Sequence, residues 1–287
     1  MARRVALVSD STSVDASMAA RLDVVVVPLQ VMIGTSSYDE GHGDASPERV
    51  AQALRSHKQV STSRPAPERF ARVYREAAAT GAEAVLSVHL SSEVSGTFES
   101  ALLAARDVDI EVVAVDSRHL GMGTGFAVAA AARALDDGAG VGDAAEVARA
   151  RAATTTGLFY VDTLEFLRRG GRVGAAAALV GSALAVKPLL TIVDGRIVQL
   201  DKVRTTSRAL ARLEEIAVEA AGEQQVDVAV SHLANPERAH ALAERLRSRV
   251  PRMTDVVVTE VGAVIGAHVG PGMLAVVVSP YPDQNSR

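Results

Sequence analysis

Residues 84–105, AVLSVHLSSEVSGTFESALLAA, hold the reading on which the fold turns. Ala84 to His89 is a short apolar run that suits a buried strand, and from Thr97 onward small and apolar residues recur at helical spacing. Between them lie mainly small polar residues and Gly96, the composition of a tight strand-to-helix connection. The same order recurs where Val5 to Val8 runs into Ser9-Asp10-Ser11-Thr12, and where Glu111 to Val115 runs into Asp116-Ser117 and then Gly121, Gly123 and Gly125. Val24 to Val27 supplies a fourth strand, and helices fit Asp15 to Leu22, Pro47 to Ser56, Pro67 to Ala79, Thr97 to Arg106 and Gly125 to Leu135. Ser46 before Pro47 is a good N-cap with proline at the first helical position. Strands alternating with helices predict an α/β domain built on a parallel sheet over residues 1–153.

From residue 154 to 287 the pattern changes. Asp194-Gly195 separates Pro188 to Val193 from Arg196 to Val203, which predicts a hairpin across a tight turn. Further strands fit Leu158 to Val161, Val226 to His232, Asp255 to Val261 and Met273 to Val278, with helices at Thr205 to Ala221 and Pro236 to Arg249. The expectation is an α+β domain with a mainly antiparallel sheet, so the whole chain is an α/β protein of two lobes. The alanine-rich stretch from Gly174 to Val193 contains Lys187 and Pro188, a poor membrane span that reads as a packed helix followed by a strand. The tail from Pro280 onward reads as disordered.

Composition narrows the function classes. The formal charge of −4, with both signs interspersed, gives no basic face for a nucleic-acid backbone. There is no cysteine, which removes disulfides, thiolate nucleophiles and cysteine-based zinc sites together. Arg3 and Arg4 precede only four apolar residues before Ser9 and Asp10 intervene, too few for a secretory core, and the chain reads as cytoplasmic without stable membrane insertion. No G-x-x-x-x-G-K-[ST] loop, G-x-S-x-G elbow or H-E-x-x-H helix occurs. Gly121, Gly123 and Gly125 fail the dinucleotide spacing, because Phe126 stands where the third glycine should be.

What polar chemistry there is gathers at strand ends, where parallel sheets form their ligand crevice and helix N-termini favour anions. Ser95-Gly96-Thr97 is the best anion candidate: Gly96 allows close backbone approach and Ser95 adds a hydroxyl. Ordinary caps and turns would explain any one such loop, whereas three together favour a site. Thr62-Ser63-Arg64-Pro65 is either another hydroxyl donor or, as spacing favours, a capping segment for the helix near Pro67. Gly170-Gly171 looks like a helix C-cap releasing Arg172, which alone would read as a solvated arginine. His268 stands beside a glycine-flanked turn, where a lone histidine is usually structural.

These motifs resemble the DegV family along almost the whole chain. The resemblance is carried by Ser9-Asp10-Ser11-Thr12, Thr62-Ser63-Arg64-Pro65, residues 91–97 (SSEVSGT), residues 161–173 (VDTLEFLRRGGRV), Lys187-Pro188 with Asp194-Gly195, Lys202 with Arg204, and residues 266–272 (GAHVGPG). Arg64 stands where the family often has Gln, Val173 where Ile is usual and Val269 where Thr is common. The resemblance implies a long-chain fatty acid such as palmitate or oleate held between two domains, with its carboxylate on Thr62, Ser95, Gly96 and Thr97 and with Arg172 and His268 nearby. It also implies a fatty-acid-binding accessory subunit that presents the carboxyl group to a separate ATP-binding fatty acid kinase for conversion to acyl phosphate. On this reading there is no catalytic residue, metal or cofactor beyond the bound lipid. Two other readings are an acyl-transfer enzyme with Ser95 as nucleophile and His268 as base, and a sensor of a non-lipid anionic small molecule.

Overall fold

The structure is a computed structural model that describes residues 3–42, 45–174 and 186–281. The first part runs β1 (Val5–Asp10), α1 (Ala16–Leu22), β2 (Val24–Val27), β3 (Gln30–Ile33), β4 (Ser36–Asp39), α2 (Pro47–Arg55), β5 (Val60–Ser63) and α3 (Pro67–Ala79), then β6 (Ala84–His89), α4 (Thr97–Ala105), β7 (Glu111–Asp116), α5 (Met122–Asp136) and α6 (Val141–Thr154). The second part runs β8 (Thr156–Tyr160), α7 (Glu165–Arg169), β9 (Lys187–Val193), β10 (Arg196–Val203), α8 (Thr206–Ala221), β11 (Val226–His232), α9 (Pro236–Arg249), β12 (Met253–Glu260), α10 (Ala263–Val269) and β13 (Leu274–Pro280).

β2, β1, β6 and β7 pair in that order, all parallel. β6 is buried at every position, as a strand covered on both faces must be. One face carries the alanine-rich helices α5 and α6, whose Ala127, Ala131, Ala144 and Ala148 let them lie close against Leu7 and Leu86. The other carries α3 and α4, through Phe70, Tyr74 and Ala101. The chain leaves β1 toward one side of the sheet and β6 toward the other, so the topological switch lies between these two central strands.

The second sheet has the order β10-β9-β8-β13-β11-β12 and is antiparallel except for the β11–β12 pair. Its hairpin turns at Asp194 and Gly195, both at positive φ, as a two-residue turn matched to strand twist requires. Helices α8 and α9 cover one face through Leu213, Leu242 and Leu246. The opposite face turns toward the parallel lobe, where Ala229 and Val277 meet Phe126 and Met122 of α5.

Four features depart from the sequence expectations, one of them the helix α10. Residues 30–63 add an antiparallel sheet, β4-β3-β5, that the sequence reading did not contain. Its strands are four residues long and two are rich in Ser, Thr and Asp, so apolar alternation is too weak to mark them. Helix α6 was likewise not anticipated. Pro280 ends β13 instead of beginning a disordered tail, and Tyr281 is pinned by a hydrogen bond to Asp227 (3.1 Å) and by the Arg151 guanidinium 4.1 Å from its ring. Residues 282–287, and all but the first residue of the helix expected after Gly174, lie outside the described residues. Among the described residues no helix is long and apolar enough to cross a membrane.

Candidate functional site

At the carboxyl ends of β1 and β6 a buried network fixes the loops. Asp10 Oδ1 accepts from Thr12 N–H (3.1 Å) and Thr12 Oγ1 (2.6 Å), while Oδ2 accepts from Leu90 N–H (3.0 Å) and lies 3.1 Å from His89 Nδ1. Burial alone would raise the Asp10 pKa, but His89 and the other donors outweigh it and hold it below its ordinary value. His89 Nε2 continues to Ser87 Oγ (2.7 Å) and Ser87 to Tyr74 Oη (2.8 Å). This Asp-His-Ser order has the composition of a nucleophilic triad, yet Ser87 and His89 are fully enclosed. Its work is to tie β1, β6 and α3 together and to set where the Ser91–Thr97 loop starts.

That loop ends in Gly96, the N-cap of α4. Ser95 Oγ lies 2.9 Å from Thr97 Oγ1. Across from it, Thr62 on β5 lies 2.8 Å from His268 Nε2 on α10. Thr62 is not a cap: the residue capping α3 is Ala66, which makes no side-chain cap bond. His268 lies in the last turn of α10, beside the glycine-flanked turn read from the sequence. Burial pushes its pKa down to about 4, with the positive charge of Arg172 adding to the effect, so the ring is neutral at physiological pH.

The tautomer follows from the surroundings. His268 Nδ1 is buried without a partner, against Gly170. A proton there would be an unsatisfied buried donor, whereas a proton on Nε2 is donated to Thr62 Oγ1. Thr62 then keeps its own proton for an acceptor in the cavity, which gives a neutral side chain suited to a carboxylate.

Arg172 is placed by the double glycine as expected. Gly171 adopts φ 71°, and the Arg172 N–H bonds back to Leu167 O (2.9 Å), closing a Schellman-type end to α7. The guanidinium is not left in solvent: Nε donates to Val94 O (3.1 Å) and Nη1 to Gly170 O (2.5 Å), bridging the two lobes. Arg64, which the sequence reading noted only as a departure from Gln, donates from Nη1 to Gly96 O (3.2 Å).

Thr62, Ser95, Gly96, Arg172 and His268 all line one inter-lobe cavity of about 350 Å³, and Arg64 lines it too. Thr97 does not; its fully buried hydroxyl reaches the cavity only through Ser95. Hydrocarbon walls come from both lobes, with Leu90 and Leu120 facing Phe159, Ile192, Val269 and Met273. Among the described residues no hydrogen bond joins Ser95 to His268, so the nucleophile and base that acyl transfer would need are not paired. Nor does any group of three or more His, Cys, Asp or Glu able to hold a metal ion occur among the described residues.

A second cavity of about 450 Å³ adjoins the first and contains Glu40, which the sequence reading missed. Its carboxyl accepts from Ser11 Oγ (2.6 Å) and from Val264 N–H (2.7 Å), joining the β1 loop to α10. Burial pushes the Glu40 pKa up to about 7 against those hydrogen bonds, with Asp10 adding to the rise. Of the basic residues near the site, Arg169 is neutralised by Glu165 and Lys187 by Asp162 (2.9 Å), while Arg168, Lys202 and Arg204 are exposed.

A family model described as an uncharacterised protein of the DegV family matches residues 4–281. A DegV domain-containing protein of Streptomyces coelicolor is 53% identical over 280 residues, covering 97% of this chain and 99% of the relative. Two solved structures are similar throughout. One, from Thermus thermophilus and described by its fatty acid binding as a DegV family protein, has 33% identity and a TM-score of 0.91 over 98% of this chain and 100% of that one. The other, DegV from Bacillus subtilis, described as a fatty acid binding protein, has 32% identity and a TM-score of 0.89 over the same shares.

Proposed function

This chain belongs to the DegV family, and from that premise we propose that it binds one long-chain fatty acid, such as palmitate or oleate, between two lobes placed at residues 1–153 and 154–287. The carboxylate takes hydrogen bonds from Thr62 and Ser95 and from the backbone at Gly96, with Thr97 holding the Ser95 hydroxyl from behind, His268 setting the Thr62 hydroxyl and Arg172 supplying positive charge. The hydrocarbon chain fills the apolar cavity. The observation that carries this reading is the Thr62–His268 pair, a polarised hydroxyl opening onto a hydrocarbon-walled cavity.

The energetics agree. Burial contributes about 0.8 kcal/mol per methylene, so a chain of roughly 16 carbons gains on the order of 10 kcal/mol against the cost of ordering. An isolated buried carboxylate is prohibitively costly, which is why the donors are indispensable.

The protein acts in the cytoplasm as an accessory subunit and hands the carboxylate to a separate ATP-dependent kinase, yielding acyl phosphate. What supports this division of labour is a set of hydroxyl donors lining the apolar cavity in a chain without a G-x-x-x-x-G-K-[ST] loop. The test mixes the protein, palmitate and ATP with and without the cognate kinase. Acyl phosphate should form only with the kinase, and ATP-dependent product from this protein alone would overturn the proposal.

A further inference from the structure

The two cavities share Thr12, Gly121, Met122, Ser231, Val261 and Ile265. Most of this junction is hydrocarbon or glycine. The Thr12 hydroxyl is committed to Asp10 (2.6 Å). Ser231 is different. Along β11, Val226, Val228 and Val230 point into the core beneath α8 and α9. By the alternation of a strand, Ser231 shares the opposite, inter-lobe face with Ala229, which packs against Phe126 and Val277.

Ser231 is only 5% exposed, yet its hydroxyl has no hydrogen-bond partner among the described residues. Other buried serines do: Ser9, Ser87, Ser91, Ser117 and Ser279 are each bonded. Ser100 is also unpaired, but it lines neither cavity. A hydroxyl in a hydrocarbon wall is expensive unless something completes it. A plain methylene chain lying against Ser231 would leave it unsatisfied, whereas an oxygen on that chain would satisfy it.

We propose that Ser231 is a second recognition point in the lipid site, one that hydrogen-bonds a hydroxyl group carried on the acyl chain away from the carboxylate. The ligand class is therefore hydroxylated long-chain fatty acids, taken in preference to their unsubstituted counterparts. This rests on the fatty-acid reading above. Ile265 at the junction precedes His268 by three residues, roughly 4.5 Å along the axis of α10. The preferred hydroxyl consequently sits several carbons from the carboxyl group and not beside it.

The experiment measures, by calorimetry, octadecanoate and its positional hydroxy isomers from the 3- to the 12-position on the wild-type protein and on Ser231→Ala. The expected result is a narrow window of positions that bind about five- to tenfold more tightly than octadecanoate, the range of one neutral hydrogen bond. S231A should abolish that preference while binding octadecanoate at least as well as the wild type. If octadecanoate binds but no isomer is preferred, or if the preference survives S231A, this inference falls alone. If octadecanoate does not bind, the fatty-acid reading falls and takes this inference with it.

Discussion

Replacing Thr62 by valine removes one hydroxyl while keeping the β-branched shape that suits β5. Two effects follow from the geometry. In the ligand-free protein His268 loses the partner of Nε2 (2.8 Å), and because Nδ1 already has none, the ring is left with two unsatisfied nitrogens. That should cost about 1–3 kcal/mol of stability, read from chemical denaturation. In the complex a hydrogen bond to a charged carboxylate is lost, about 1.5–3 kcal/mol, which corresponds to a Kd for palmitate roughly 10- to 150-fold weaker by calorimetry. His268→Gln separates the two, since its amide N–H can replace the Nε2–H donor and should retain more affinity than His268→Leu. A Thr62→Val protein that binds palmitate within about twofold of the wild type would refute the assignment of the Thr62 hydroxyl to the carboxylate.

Gly170→Ala and Gly171→Ala form an informative pair. A Cβ at Gly170 would lie 2.1 Å from His268 Nδ1 and must displace the ring, so palmitate affinity should fall nearly as far as in T62V. A Cβ at Gly171 meets open space but must adopt φ 71°, costing about 1–2 kcal/mol of stability with affinity kept. The pH dependence of stability carries two opposed contributions. Glu40, raised from 4.5 to about 7, stabilises the fold less as pH climbs through that interval, while His268, lowered from 6.5 to about 4, destabilises it as pH falls through that one. Relative to the wild type, Glu40→Gln should gain stability between pH 5 and 8 by up to about 3 kcal/mol, and His268→Gln should gain it between pH 6 and 4. A parallel set of denaturation midpoints for all three proteins would contradict both shifts. With the cognate kinase, Lys202→Ala combined with Arg204→Ala should lower acyl phosphate formation while palmitate affinity is kept, because both side chains are exposed. Arg172→Ala should lower both readouts, since it lines the cavity.

The regular elements were largely legible in the sequence because their patterns are local. Ala84–His89, Pro67–Ala79, Val226–His232 and Pro236–Arg249 lie where hydrophobic periodicity and proline placement put them. The β3–β5 sheet was not legible, since strands such as Ser36-Ser37-Tyr38-Asp39 carry no apolar face to read. Thr62 therefore looked like part of a cap. The candidate residues stood out only as separate motifs, and their pairing was invisible: Thr62 and His268 lie 206 positions apart and are joined only by packing between lobes. Glu40 gave no signal because an acidic residue next to Asp39 at the end of a polar strand is ordinarily solvated; its burial against α10 is a tertiary fact. Ser231 was hidden for the opposite reason. It sits in a strand buried at every position, where one serine among valines reads as filler until the cavity on its side of the sheet is known.

The most direct test of lipid binding uses protein purified gently from its own host, denatured, extracted into organic solvent and weighed by mass spectrometry against the protein recovered. About one long-chain fatty acid per chain is expected, since an apolar cavity left in contact with water would forgo the burial energy that the ligand supplies. Protein that carries no lipid and shows no saturable binding of palmitate or oleate would contradict the account.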